Sequence, residues 1–273
     1  MTETQCKTVP SADGTPIAVW ITGSGPTLLA IHGAACDHTA WDRMIPLLAP
    51  HMTVAALDRR GRPASGDAEA YDTKREVEDA VAVAAALPGP VHVYGHSFGG
   101  LVAVHAAPRI PNLGSLTLYE GSTAPSGVEI IPRAFIDELD RLVTSGLPEE
   151  ALDLFLPAAA RMEPAQIEAL KSQSIWHAML RSAYTIPREL RAVNEHAADP
   201  LETDRVAAPV LIVVGEATEP QRRSWYESVA ARFADARIAV LAGQGHAANM
   251  TAPDLLASAL LEFLDRAAVQ SAS

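Results

Sequence analysis

The run Val91-His92-Val93-Tyr94-Gly95-His96-Ser97-Phe98-Gly99-Gly100, continuing into Leu101-Val102-Ala103-Val104-His105-Ala106-Ala107, constrains this chain more than any other segment. An apolar stretch of strand character meets a helical pattern across Gly-x-Ser-x-Gly. The spacing predicts a strand, a sharp turn carrying Ser97, and a helix that starts directly after it, because glycines at 95 and 99 let crossing backbones touch. Strands that feed straight into helices build parallel sheets covered by helices. A serine hydroxyl exposed at a helix N-terminus is how a nucleophile is displayed.

The rest of the chain repeats the pattern. Strand-like runs fall at Ile17 to Ile21, Thr27 to Ile31, Thr53 to Leu57, Val91 to Tyr94, Ser115 to Tyr119, Val210 to Val214 and Arg237 to Leu241. Helical patterns fall at Thr39 to Leu48, Lys74 to Leu87, Ser97 to Ala107, Gln221 to Phe233 and Ala252 to Asp265. This alternation predicts an α/β fold: a doubly wound, mostly parallel sheet with helices on both faces. Leu211-Ile212-Val213-Val214 is apolar without a break, as a strand buried on both faces requires.

From about Gly121 to Arg205 the alternation stops. Only helix-like segments remain, punctuated by Pro125, Pro132, Pro148, Pro157, Pro164, Pro187 and Pro200. Residues 121–205 are therefore read as a helical lid inserted into a core domain made of residues 1–120 and 206–273. Phe155, Trp176, Met179 and several leucines of this stretch suit packing onto the body, and Trp176 and Met179 are also candidates for the wall of a substrate pocket. Gln270 to Ser273 is expected to fray.

With 273 residues and 48% hydrophobic content, the chain can bury one large core. Its net charge of −12, without a Lys/Arg cluster to track phosphates, argues against a nucleic-acid partner. The first seven residues hold no apolar core, and no apolar stretch nears the roughly 18 residues of a bilayer span. The expectation is a cytoplasmic protein without membrane association, and nothing in the sequence specifies an oligomeric state. Cys6 and Cys36 are too few for a disulfide framework and too isolated for a Cys-based zinc site, and the serine chemistry read below calls for neither a metal nor an organic cofactor. His92 and His96 straddle a strand and a turn, not one helical face, and do not read as a metal pair.

A serine hydroxyl is a weak nucleophile at neutral pH and needs a base, an orienting acid and donors for an oxyanion. His246 in Gln244-Gly245-His246 follows a strand and precedes the last helix, above the strand ends where Ser97 is expected. In His32-Gly33-Ala34, Gly33 lets the backbone curl after the strand Thr27 to Ile31. The N–H of Ala34 is the expected first oxyanion donor, and that of Phe98, at the start of the helix, the second. His96 is expected to pack in the turn. His32 is expected to shape the oxyanion loop, with pocket contact as the alternative, and Cys36 and Asp37 are candidates to face substrate. Arg59, Arg60 and Arg62 read as surface salt-bridge residues, with docking of an anionic substrate as the alternative.

These features resemble the serine α/β-hydrolase family across nearly the whole chain, at His32-Gly33, Asp58-Arg59-Arg60-Gly61-Arg62-Pro63-Ala64-Ser65, Gly95 to Gly99, Val214-Gly215 and Gly245-His246. The resemblance implies a nucleophile at Ser97, a base at His246, oxyanion donors at Ala34 and Phe98, and a lid inserted after the sixth strand. Pro63 departs from the family's usual DxRGxGxS by replacing a glycine. The aspartate that many members carry three residues after the glycine ending the seventh strand falls here on Thr218, which cannot hold a charge beside an imidazolium. Glu216 and Glu219 are neighbouring candidates for the acid. Glu120 is the preferred one, because it ends the sixth strand, where some members of the family place their acid.

The leading expectation is a cofactor-independent serine hydrolase that cleaves an ester, or a thioester or lactone, of a medium-sized, largely apolar small molecule through an acyl-enzyme on Ser97. Two alternatives stay open: a lyase, cyclase or acyltransferase using Ser97 and His246 for proton transfer, and a ligand-binding pseudoenzyme.

Overall fold

Eight strands pair edge to edge in a computed structural model of the chain, which describes residues 3–68, 70–125, 128 and 130–271. They are β1 (Gln5–Pro10), β2 (Pro16–Gly23), β3 (Thr27–Ile31), β4 (Thr53–Leu57), β5 (Val91–His96), β6 (Leu113–Tyr119), β7 (Val210–Gly215) and β8 (Ala236–Leu241). Their order across the sheet is β1-β2-β4-β3-β5-β6-β7-β8. Strand β2 runs antiparallel to both neighbours, and the pairs from β4 to β8 are parallel.

The unbroken apolarity of the central strands follows from burial on both faces. In β3, Leu28 and Ala30 enter one core while Leu29 and Ile31 enter the other. In β7, Leu211 and Val213 face the first core and Val210, Ile212 and Val214 the second. Helices α1 (Ile45–Leu48) and α11 (Pro253–Ser271) help cover the first face, whereas α2 (Thr73–Ala86), α3 (Phe98–Ala106) and α9 (Pro220–Ala230) cover the second. Helix α2 begins where the Asp72 side chain accepts the Lys74 N–H at 2.8 Å, and it turns Val77, Ala80, Val83 and Ala84 to the sheet.

Three local expectations need correction. Strand β1 went unnoticed because its sequence, QCKTVP, is exposed almost throughout at the sheet edge and carries no apolar pattern. The helix expected over Thr39 to Leu48 splits into a short 3-10 turn, His38–Trp41, and α1. Pro46 has no N–H to continue a helix from upstream, but it suits the first turn of a new one. The last helix extends through Ser271 instead of fraying at Gln270, and residues 272 and 273 lie outside the described part.

Between β6 and β7 the chain forms α4 (Arg133–Thr144), α5 (Pro148–Ala158), α6 (Pro164–Leu170), α7 (Ser174–Ser182) and α8 (Ile186–His196), with short α10 (Ala248–Thr251) preceding α11 later on. Pro148, Pro164 and Pro187 each stand in the first turn of a helix, so the punctuation seen in the sequence marks helix starts.

The arginines after β4 are not on the surface, contrary to expectation. Arg59, Arg60 and Arg62 are fully buried. Arg59 pairs with Glu76 at 2.8 Å and with Glu189 at 2.9 Å, Arg62 also binds Glu189, and Arg60 pairs with Asp79 at 2.7 Å. With these partners in place they offer no dock for a soluble anion. Glu189 belongs to α8, so this cluster ties the helical segment to the sheet. Burial opposes its charge, but Arg59 and Arg62 outweigh that and hold its carboxyl at about 2.

Replacing one member leaves buried charge without a counterion. Glu189→Gln is expected to destabilise the fold by about 3–5 kcal/mol, read as a lower midpoint in urea. The Glu189 contribution is present above the ordinary glutamate range and is lost as pH falls toward 2, so the gap between wild type and variant should close in acid.

Candidate active site

The sheet order reverses between β3 and β5, and the loops at the C-terminal ends of the strands open into a crevice there. Ser97 stands at this point, directly after β5, with φ 53° and ψ −121°. Such a conformation is costly for a residue with a Cβ and persists only when its surroundings over-determine it. The surroundings do so. The Ser97 N–H donates to the Tyr119 carbonyl at 3.0 Å, while its own carbonyl accepts the N–H groups of Gly100 at 2.9 Å and Ser122 at 3.0 Å. A Cβ on Gly95 would meet the Gly99 carbonyl at 2.5 Å, and one on Gly99 the Ile31 carbonyl at 2.1 Å. Only glycine fits either place, which explains the motif.

Gly33 brings the loop after β3 against the serine; a Cβ there would lie 3.2 Å from that of Ser97. Among the described residues, neither the Ala34 nor the Phe98 N–H has an acceptor, and Ser97 Oγ forms no hydrogen bond. Two free donors thus flank a free hydroxyl.

His246 follows β8, and its loop is pinned from three strands. His96 Nε2–H donates to the His246 carbonyl at 2.8 Å, the Tyr119 hydroxyl donates to the Gly245 carbonyl and accepts from the Ala248 N–H at 3.0 Å, and the Gln244 carbonyl accepts from the Ala217 N–H at 2.8 Å. The imidazole Nδ1 lies 2.9 Å from Glu120 Oε2. Glu120 directly follows β6, with φ 42°, and is 1% exposed. Its other oxygen, Oε1, accepts the Gly215 N–H at 2.9 Å and the Thr218 hydroxyl. Burial works against its charge, but the bond and charge of His246, together with those two donors, prevail and hold the carboxyl at about 2. A permanent carboxylate on Nδ1 keeps the proton there and leaves Nε2 as the basic nitrogen.

The other acid candidates lie elsewhere. Glu216 is exposed and accepts the Gly243 N–H at 2.7 Å, and exposed Glu219 lies 3.9 Å from Arg222. Thr218, where the family's aspartate was sought, instead supports the Glu120 carboxylate.

Ser97, Glu120, His246, Ala34, Phe98, Cys36 and Met179 line one cavity that opens to solvent. Its remaining walls are largely apolar, with Ile131, Phe155, Leu156 and Met250 among them. Burial pushes the Cys36 thiol up to about 12, so it stays protonated and inert.

Three expected wall residues are elsewhere. His32 is fully buried, with Nδ1–H donating to the Gly33 carbonyl at 2.9 Å and Nε2 accepting the Arg59 N–H at 3.2 Å. Burial and the charges of Arg62 and Arg59 keep it neutral, and it braces the loop from behind. Trp176 belongs to the hydrophobic core, with Lys171 over its ring. Asp37, too, turns away from the cavity, its Oδ1 accepting the Thr39 N–H at 2.9 Å. His96 packs as expected, stacked on Tyr119, and burial lowers it to about 3.

The sequence did not single out Arg161, in the loop between α5 and α6, or Arg222 on α9, yet both line the cavity. No motif surrounds either residue, and only folding brings them to the catalytic edge.

Among the described residues, Asp37, His38 and Asp58 form one cluster of metal-ligand type. Its acceptors are already engaged: Asp58 takes the His38 N–H at 2.7 Å and the Trp20 indole at 3.0 Å. His92 bonds Ser115 at 2.9 Å, away from His96. No described helix is long and apolar enough to cross a membrane.

The sequence model described as the alpha/beta hydrolase family matches residues 28–259. A 2-(acetamidomethylene)succinate hydrolase of Mesorhizobium japonicum is 25% identical over 255 residues, 89% of either chain. A pimeloyl-[acyl-carrier protein] methyl ester esterase of Xanthomonas campestris is 28% identical over 274 residues, covering 89% of this chain and 97% of the esterase. The solved structure of an alpha/beta hydrolase from Sphaerobacter thermophilus superposes with a TM-score of 0.78 at 31% identity, covering 94% of this chain and 99% of that one. The eight-stranded sheet, its helices and these likenesses agree: the chain belongs to the alpha/beta hydrolase family.

Proposed function

We propose that this enzyme is a serine hydrolase that cleaves an ester of a medium-sized small molecule through an acyl-enzyme on Ser97. The observation that carries the reading is the 2.9 Å bond between buried Glu120 and His246 Nδ1, in the same cavity as Ser97. It keeps Nε2 free to accept the Ser97 proton as Oγ attacks the substrate carbonyl. The N–H groups of Ala34 and Phe98 then stabilise the oxyanion, and His246 returns the proton to the departing alcohol. Water, activated by the same imidazole, adds to the acyl-enzyme, releases the acid and restores Ser97. The helices between β6 and β7 act as the lid, contributing Phe155, Leu156 and Met179 to an apolar wall that suits an apolar acyl body. Of the relatives, one is named an esterase and the other a hydrolase, and hydrolysis is the reaction class we carry over.

The test is exposure to a serine-directed fluorophosphonate, followed by peptide mass spectrometry. Rapid modification confined to Ser97 is the expected result, and a folded wild type that stays unmodified would refute the reading. Turnover in 18O-labelled water separates hydrolysis from lyase, cyclase or acyltransferase chemistry, because only hydrolysis places the label in the product acid.

A further inference from the structure

Two guanidinium groups stand in a cavity whose other walls are mostly apolar. Arg161 reaches it from the loop between α5 and α6, on backbone held at φ 53°, and Arg222 reaches it from α9. Among the described residues, neither has a carboxylate closer than 3.9 Å. The nearest to Arg161 is Glu120 Oε2, at 3.9 Å, which already accepts His246 at 2.9 Å. The nearest to Arg222 is Glu219 Oε2, also at 3.9 Å and on an exposed side chain. Tyr226, one turn further along α9, is the neighbouring phenol on the same helix. Burial, and then the charge of Arg161, push the Arg222 guanidinium below its ordinary value. Two like charges that line one partly desolvated cavity gain from an anion between them.

The charge balance sets the anion's class. Among the described residues Glu120 is the one carboxylate that lines the cavity beside Arg161 and Arg222, and these three side chains sum to one net positive charge, which a single carboxylate cancels and a phosphate dianion overshoots. The buried cluster of Arg59, Arg60 and Arg62 supplies its own carboxylates, so among the described residues it is Arg161 and Arg222 that combine access to the cavity with a deficit of negative charge.

The geometry points to a carboxylate subsite at Arg161 and Arg222, so that the substrate is an acyl compound with an apolar body and a free carboxylate removed from the scissile carbonyl. This deepens the serine-hydrolase reading and rests on it. Planar guanidinium groups recognise a carboxylate through paired N–H donors and orient the molecule with its acyl carbon toward Ser97.

The test compares methyl esters that differ only at the far end. Monomethyl succinate, adipate and pimelate each end in a carboxylate where methyl butyrate, hexanoate and heptanoate end in a methyl group. Kinetics, and calorimetric binding to Ser97→Ala protein, are measured for wild type, Arg161→Gln, Arg222→Gln and the two Lys variants. We expect the best carboxylated ester to be favoured about 30-fold over its neutral partner, mainly through KM. Either Gln substitution should bring that ratio near one, and either Lys substitution should restore part of it. A wild type that neither prefers nor binds the carboxylated member overturns the subsite, as does a preference that survives both Gln substitutions. Fluorophosphonate modification of Ser97 keeps the two readings apart. Modification without carboxylate preference overturns the subsite alone, whereas carboxylate binding that depends on the arginines without modification overturns the hydrolase mechanism and leaves the subsite standing.

Discussion

Ser97→Ala will lower kcat/KM for an ester substrate by about 10⁶-fold, with the fold intact. That is roughly 8 kcal/mol of transition-state stabilisation, the size expected when a nucleophile acting as a unit with its base is removed. The residual rate belongs to the free N–H groups of Ala34 and Phe98, which still polarise a bound carbonyl. Ser97→Gly separates chemistry from strain. It should be as inactive as the alanine variant, but it adopts φ 53° and ψ −121° without a clash and should unfold a few degrees later, from about 1–2 kcal/mol of relieved strain. Thermal melts of the two variants beside wild type check this. Equal melting of the glycine and alanine variants would show that the turn stores no strain.

Glu120→Gln will lower kcat by about 10⁴-fold. The reason lies in which oxygen faces which donor. Oε1 accepts two hydrogen bonds, from the Gly215 N–H and the Thr218 hydroxyl, so a glutamine must place its carbonyl oxygen there. Its NH2 then faces His246 Nδ1, which has to become the acceptor. The ring proton moves to Nε2, and the base toward Ser97 is lost although no atom has shifted far. Glu216→Gln and Glu219→Gln, on exposed side chains, should change the rate by less than about threefold. A steady-state assay of the three variants against one ester decides the matter; a collapse confined to Glu219→Gln would relocate the acid.

The same substitution has a signature in acid. The Glu120 carboxyl is held at about 2 in the folded protein, below its ordinary range, so it contributes stability above that range and loses it as pH falls toward 2. Wild type should therefore take up about one proton more than the variant on acid unfolding. The carboxylate also stays ionised throughout the working range, so its titration cannot shape the acid limb of the rate profile.

Much of the sheet was legible because a strand buried on both faces must be apolar at every residue, and such runs stand out. Edge strand β1 has no such requirement, so its sequence carries no mark. The turn at Ser97 was legible because two backbone crossings admit only glycine, which leaves a fixed spacing in the chain. Glu120 could be placed at a strand end, but its bond to His246 needed the distance between two loops separated by 126 residues. Charge was the least legible property. Arg59, Arg60 and Arg62 read as surface groups because their partners, Glu76, Asp79 and Glu189, come from distant helices. Arg161 and Arg222 went unseen for the same reason: a cavity wall gathers single residues from many segments, with no period to reveal them. His32 and Trp176 erred the other way, since nearness to a motif along the chain does not decide which side of a loop or helix faces the cavity.

The bond between Thr218 and Glu120 bears on how lineages of such enzymes are traced. Side chains that follow two different strands meet at the carboxylate bonded to one imidazole, so a carboxylate from either end would arrive near the same spot. An ancestor could carry acids at both places and later shed one without passing through an inert stage. A survey that scores only the loop after β7 would file this chain among degenerate descendants, whereas one that scores the meeting point would group it with working relatives.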